Sequence, residues 1–277
     1  MKMSNVFSEN DFEILIATKD RSNFDFLVPM FPFEHFSGFN ILIVNQSQNH
    51  VLVSGFDSVR VINSTETGLS KSRNKAIQNA SKKICLITDD DVVFAENFRN
   101  HILLAFQNQE KADIITFNHQ RIGVLQPQKK WNSAFKHNSK TIWNVSSIEI
   151  AFKVAEIKKK NIAFDTNFGL GSFFETAEEF LFLKTALNQS GNVYFSPEII
   201  VSHPKFSSGK DEGSDTLIYS RAALFYKLYG SFAFVWLAKY VFFLIRKKYI
   251  RFSEAEEKYK SGLAGIAKFR EITQHKL

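Results

Sequence analysis

The chain has 277 residues, 44% hydrophobic and 14% aromatic, with 35 basic against 28 acidic side chains and a net charge of +7. That length and apolar content suit one large α/β domain with a sizeable core plus a smaller appendage, and they exclude disorder on a large scale. The basic excess points to an anionic partner, whether a nucleotide, a nucleic acid or a membrane surface.

The opening MKMSNVFSENDFEILIATKD puts charged residues on both sides of a short apolar stretch. It lacks the long uncharged core and small-residue cleavage site of a secretory signal, so a reducing cytoplasm is the expected setting. Short apolar runs then alternate with helix-like segments, the pattern of strands and crossover helices packed in layers. Strands are predicted at 13–18, 39–44, 59–62, 84–88 and 113–117. Helices are predicted to start near Ser70 and Ala95, with later ones over 176–189 and 216–229. The single cysteine, Cys85, lies inside an apolar run, so a disulfide within the chain is impossible and a buried structural thiol is expected. Residues 119–147 are polar and aperiodic and contain Trp131 and Trp143, which predicts a long loop of the kind that carries substrate contacts.

The stretch KKICLITDDDVVFAENF, residues 82–98, drives a strand into Asp89, Asp90 and Asp91. In an open α/β sheet, ligands bind beyond the carboxyl ends of the strands. Extended backbone would turn Asp89 and Asp91 to one side and Asp90 to the other. Two such carboxylates repel unless a cation sits between them, and a divalent metal left partly open for phosphate oxygens suits the pair. The competing reading is a solvated acidic turn capping the next helix. Upstream, TGLSKSRNKAI, residues 67–77, has Gly68 for a close turn and Ser70 as an N-cap. Helical spacing then sets Arg73 and Asn74 toward the strand ends, although plain solvent exposure is the default for an isolated arginine there.

Taken in order, TKDR (18–21), GLSKSRNKAI (68–77) and the strand ending in DDD (89–91) resemble family 2 of the inverting nucleotide-sugar glycosyltransferases. The segment FDTNFGLGSFFETAEEFLFLKTALNQSGNVYFSPEIIVSHP, residues 164–204, is similar to that family's acceptor side, and the resemblance spans roughly residues 12–204. It implies the GT-A fold, an α/β, Rossmann-like arrangement with a mixed, mainly parallel sheet flanked by helices. It also implies that Asp89 and Asp91 are the ends of an Asp-x-Asp motif holding Mn2+ or Mg2+ against the donor diphosphate. Thr18, Arg21 and Asp90 would then lie near the nucleotide, and Arg73 near its base or phosphates. Asn45, in IVNQSQ, stands where the family commonly has a base-contacting aspartate; an amide both donates and accepts, so it could still read a base edge, but the usual uridine preference is then open.

In the same resemblance the acidic pair Glu178 and Glu179 supplies the catalytic base, with Glu179 favoured. Neighbouring carboxylates raise one another's pKa, which suits a base. Thr176-Ala177-Glu178-Glu179 equally fits a capping box, in which Glu179 reaches back to a backbone amide. His203 either hydrogen-bonds structurally or joins the metal site. Asp165 and Glu175 read as turn or rim residues. Trp131 and Trp143 would either stack on a sugar ring or fill the core beneath the loop.

Toward the C-terminus, SFAFVWLAKYVFFLIRKKYIRF (231–252) is apolar from Phe232 to Ile245 apart from Lys239, then carries Arg246, Lys247, Lys248 and Arg251. Spanning a bilayer takes about 20 apolar residues, so this run is too short. It reads as a helix lying in the interface of an anionic membrane or as one packed on the catalytic domain or a second subunit. A final solvated helix or two follows, weakened by Gly262 and Gly265. Residues 1–210 are thus expected to form the catalytic domain and 211–277 a C-terminal helical extension.

The expected activity is metal-assisted, inverting transfer of a sugar from a nucleotide-sugar donor to a glycan or lipid-linked glycan acceptor, in building a surface polysaccharide or similar glycoconjugate. The enzyme would be cytoplasmic or peripheral at the inner membrane face, with oligomerisation open. A phosphohydrolase would carry its Asp-x-Asp after the first strand, and a nucleotidyltransferase a glycine-rich loop there, which TKDRSNFDFL lacks. Nucleic-acid binding finds no motif among the dispersed basic residues. A non-catalytic nucleotide-sugar-binding relative stays open.

Overall fold

A computed structural model describes residues 7–122, 130–203 and 212–274. Among these, the strands are β1 (Phe12–Lys19), β2 (Ile41–Gln46), β3 (Val59–Ser64), β4 (Ile84–Thr88), β5 (Val93–Phe94), β6 (Ile114–Arg121), β7 (Phe135–Lys136), β8 (Ile150–Lys153) and β9 (Val193–His203). The α-helices are α1 (Leu27–Met30), α2 (Leu69–Asn79), α3 (Phe98–Asn108), α4 (Val154–Lys159), α5 (Glu178–Asn188), α6 (Asp215–Tyr229), α7 (Phe232–Arg246) and α8 (Ala255–Gln274). The strands form one sheet in the order β3-β2-β1-β4-β8-β6-β9-β5, with β7 also paired to β9. Strands β3, β2, β1 and β4 run parallel, as do β6 and β9, whereas β8 lies antiparallel between β4 and β6.

The central strands are apolar without alternation because both faces are covered. Ile14, Ile16, Ile41, Ile43, Ile84, Leu86, Ile115 and Phe117 join one core cluster with Phe98, Ile102 and Phe106 of α3. On the opposite face, Phe152 of β8 meets Phe182 of α5, with ring centroids 6.3 Å apart. Cys85 is fully buried as expected, and burial, followed by the nearby Glu13 carboxylate, pushes its thiol pKa up.

The described residues divide into two compact units. One comprises the described residues within 1–67, 71–164 and 179–205; the other comprises those within 68–70, 165–178 and 206–277. The boundary expected between residues 210 and 211 lies outside the described residues. In the second unit, Ile218, Ala222, Leu237, Val241, Leu244 and Ile266 of α6, α7 and α8 share a core. Arg221 there pairs with Glu212 and donates to the Tyr240 hydroxyl. The C-terminal segment is one long helix that runs unbroken through both glycines. A Cβ on Gly265 would fall 2.1 Å from the Tyr219 carbonyl oxygen, so the glycine is what lets α6 and α8 approach. No helix among the described residues is long and apolar enough to cross a membrane.

Three expectations shift. The second strand begins at Ile41, because residues 36–38 form a 3-10 turn, and it therefore includes Asn45. Helix α3 starts at Phe98 and not near Ala95, because Val93 and Phe94 are taken into the sheet by β9. The irregular stretch after residue 118 is part strand: β6 runs on to Arg121, and β7 and β8 follow. Pro197 sits at the irregularity where β9 falls out of register with β6, and its carbonyl accepts from Asn118 Nδ2 at 2.9 Å.

Just after β7, His137 is buried between Thr116 (2.8 Å) and Thr141 (2.9 Å), and burial lowers its pKa from 6.5 to about 4. The unfolded chain therefore takes up a proton that the folded chain refuses. Stability is fully present above the ordinary histidine pKa and is lost as pH falls toward the folded value, by roughly 2–3 kcal/mol in all. Urea unfolding at about pH 7 and about pH 5 should show a falling midpoint, and a His137→Gln variant should lose most of that slope.

Candidate active site

Beyond Thr88 the backbone leaves the extended conformation, turns at Asp90 and Asp91, and returns as β5. The antiparallel pairing of Val93 with Ser202 then brings the end of β9 to the turn, so that His203 Nε2 lies 3.3 Å from Asp91 Oδ1. Each aspartate consequently has its own partner. Asp89 Oδ1 accepts from Arg73 Nη2 at 2.8 Å, while Arg73, only 2% exposed, also donates to Ser147 Oγ at 2.8 Å. Its guanidinium lies 5.5 Å from the Phe164 ring centroid. Asp90 Oδ2 accepts from Thr18 Oγ1 at 2.5 Å and from Arg21 Nε and Nη2 at 2.9 and 2.7 Å. Asp91 keeps 54% of its side chain exposed, and the hydrogen bond from His203 holds its carboxyl below the usual range.

The expectation that Asp89 and Asp91 face one side is thus corrected: period-two alternation holds only while the backbone stays extended. Nor do Asp89 and Asp90 cap the next helix as a solvated acidic turn, since their carboxylates bond to Arg73 and to Thr18 and Arg21.

Asn45 is completely buried at the end of β2. Its Oδ1 accepts from Arg21 N at 3.1 Å, and its Nδ2 donates to the Arg21 carbonyl at 2.9 Å and to Asn63 Oδ1 at 3.2 Å. An aspartate could accept from that amide but could not donate to that carbonyl. The residue that departs from the family pattern therefore fixes the backbone from which Arg21 reaches Asp90.

Ser70 is not an N-cap; α2 already begins at Leu69, and Ser70, fully buried, donates to the Phe168 carbonyl at 2.6 Å. Gly169 has φ +102°, and a Cβ there would come within 2.9 Å of Ser70 Oγ and 3.2 Å of Glu178 Cδ. Only glycine lets the buried Glu178 carboxyl sit so close to the chain. The expected capping box also fails: α5 begins at Glu178, and Ala177 before it has φ +67° and no side-chain oxygen. Glu179 is half-buried, and the next residue, Phe180, stacks on Trp143 with centroids 3.7 Å apart, leaving Trp143 40% exposed. Trp131 instead packs against Phe135 and Phe195. Asp165 pairs with Lys227 at 3.1 Å, as suits a turn residue.

One polar cluster escaped the sequence reading. Glu149, 1% exposed and just before β8, accepts from His119 Nδ1 at 2.6 Å, from Lys130 Nζ at 2.7 and 2.9 Å, and from Ser146 N at 2.9 Å. Burial opposes its charge, but His119 and Lys130 outweigh it and hold the carboxyl below its ordinary pKa. The one signal in the sequence is that His119 continues the alternating core series Ile115 and Phe117 to the strand end.

Among the described residues no group of three or more His, Cys, Asp or Glu is gathered as a ready metal cage; Asp91 and His203 make a pair.

The architecture is that of the GT-A fold. The sequence model of glycosyl transferase family 2 matches residues 38–181, more than half of the chain. The protein belongs to that family and is a glycosyltransferase. No protein of curated function matches the sequence. Among solved structures, S. aureus TarS 1–349 in complex with UDP-GlcNAc is similar at 14% identity and a TM-score of 0.58, over 93% of this chain and 81% of that one. TarS 1–349 in complex with UDP is similar at 13% identity and a TM-score of 0.53, over 96% and 92%. Likeness at such identity bears on the fold.

Because Asp89 balances an almost wholly buried arginine and Asp91 is half in solvent, their removal should differ. Asp89→Ala is expected to cost about 3 kcal/mol of folding stability, and Asp91→Ala no more than about 0.5 kcal/mol. Chemical denaturation of the two variants beside the parent protein measures this.

Proposed function

We propose that the protein transfers a sugar from a nucleotide-sugar donor to a glycan or lipid-linked glycan acceptor, with inversion and with the help of Mn2+ or Mg2+. The observation that carries this reading is the Asp91–His203 pair, a half-exposed carboxylate and an imidazole brought together at the strand ends beside Arg21 and Asp90. One carboxylate and one imidazole fit such an ion, since they leave most coordination positions to diphosphate oxygens and water. When bound, the ion supplies positive charge against which the nucleoside diphosphate departs.

The protein's own residues do the rest. Arg73 acts through Asp89, fixing that carboxylate at the edge of the donor site. Thr18 and Arg21 hold Asp90, and Asn45 holds Arg21, so this side of the crevice is set before donor arrives. Glu179 accepts the proton of the acceptor hydroxyl as its oxygen attacks the anomeric carbon opposite the leaving diphosphate, which inverts configuration without a covalent enzyme intermediate. Glu178, buried against Gly169, is the second candidate for that base. Trp143 offers an aromatic platform for an acceptor sugar next to Glu179. The ligands in the TarS structures, UDP-GlcNAc and UDP, make uridine nucleotides the first to try. Residues 1–210 are the proposed catalytic domain and 211–277 its helical extension, working in the cytoplasm.

The test is nucleoside diphosphate release from candidate UDP-sugars with glycan acceptors. Glu179→Gln should lower kcat by roughly 10²- to 10⁴-fold with little change in donor KM. His203→Ala and Asp91→Ala should abolish the stimulation by Mn2+. Full turnover in Glu179→Gln would remove that residue from the chemistry, and full turnover in all three variants would overturn the site.

A further inference from the structure

We propose that helix α7 and the turn after it form a docking surface for an anionic lipid bilayer. Helix α7 buries Ala233, Leu237, Tyr240, Val241 and Leu244 in the core of its own unit. Its outer face follows the same helical spacing and is also apolar: Phe232, Val235 and Phe242 are 62%, 49% and 66% exposed, with Phe243 beside them. Lys239 and Arg246 stand on the same exposed ridge. Lys248, with φ +60°, then reverses the chain, Tyr249 N donates to the Leu244 carbonyl at 3.0 Å, and Tyr249 and Phe252 emerge exposed beside Lys247, Lys248 and Arg251. Three exposed phenylalanines and a valine on a helix of only 15 residues, followed by exposed Tyr249 and Phe252, call for a covering surface.

Charge names that surface. Residues 216–253 contain seven Lys and Arg and not one Asp or Glu. Arg221 and Lys227 are paired with Glu212 and Asp165. Among the described residues no ion pair engages Lys239, Arg246, Lys247, Lys248 or Arg251. The partner is therefore apolar within and negative at its rim. Lys239 separates a bilayer from a protein partner. Lysine is depleted from the dry centre of protein interfaces, whereas at a membrane its ammonium snorkels to the head groups while the neighbouring rings enter the acyl boundary. Helix α7 would lie along the surface for about 22 Å, with Tyr249 and Phe252 anchoring its end. This surface does not depend on the transfer reaction proposed above and can fail without it.

Co-sedimentation of the full chain with vesicles tests it. The protein should bind phosphatidylcholine vesicles containing phosphatidylglycerol at least tenfold more tightly than pure phosphatidylcholine, and the preference should shrink with added salt. Lys247→Glu with Lys248→Glu, and separately Phe232→Ser with Phe242→Ser, should each weaken that binding about tenfold or more. All four positions are solvent-facing, so unchanged thermal unfolding and nucleotide binding should accompany the loss. Absence of vesicle binding by the parent protein, or equal binding by both variants, would overturn the proposal. So would a solution dimer that dissociates in the same variants, because a second copy would then be the occupant.

Discussion

Arg73 is removed from water at the mouth of a nine-stranded sheet among the described residues, and a guanidinium in that position has to be neutralised where it stands. Asp89 does so, Ser147 accepts a second hydrogen bond from a different segment, and the Phe164 ring lies within cation–π reach of it. That one cation ties helix α2, the end of β4 and the turn before β8 together. It also commits the first of three consecutive aspartates. The chain then turns, Asp90 falls to Thr18 and Arg21, and only Asp91 remains half in solvent beside His203. A run of three like charges meets three different surroundings in the fold: an anchor for a buried arginine, a clamp on the β1 exit loop, and a half-exposed carboxylate beside His203.

The same logic extends along the strand ends. Ile14, Ile16 and Thr18 form one alternating series, Ile41, Ile43 and Asn45 another, and Ile115, Phe117 and His119 a third. In each the apolar members enter one core and the final member is polar, because there the strand runs out from under its covering layer. Those terminal polar groups bond to one another or to loop backbone: Asn45 to Arg21, Thr18 to Asp90, His119 to Glu149. The strand ends are therefore tied to one another by the protein's own groups.

The α/β class, the mainly parallel sheet and most of the longer strands and helices were legible in the sequence because they rest on local periodicity. What was not legible depends on distant pairings. The split of Asp89 from Asp91 follows from β5 pairing with β9, more than a hundred residues away. The buried Glu149 with His119 and Lys130 joins residues of unremarkable sequence separated by up to 30 positions. Thr-Ala-Glu-Glu looked like a capping box, but Ala177 takes a left-handed conformation that local propensity disfavours. Gly265 read as a helix weakness because helix propensity ignores the close approach of a second helix. Strands of two to four residues, such as β7 and β8, are too short to show a period at all.

The central claim is that the turn after β4 holds a metal-assisted donor site in which Asp91 is the open ligand. Calorimetric titration of UDP, GDP, CMP and dTDP into the purified protein, with and without Mn2+, tests it most directly when repeated on Asp91→Ala. The account predicts that one nucleotide binds, that Mn2+ strengthens the binding, and that the strengthening disappears in the variant. Binding of no nucleotide under either condition, or binding that neither Mn2+ nor Asp91→Ala alters, would contradict it and leave the three aspartates as a structural turn.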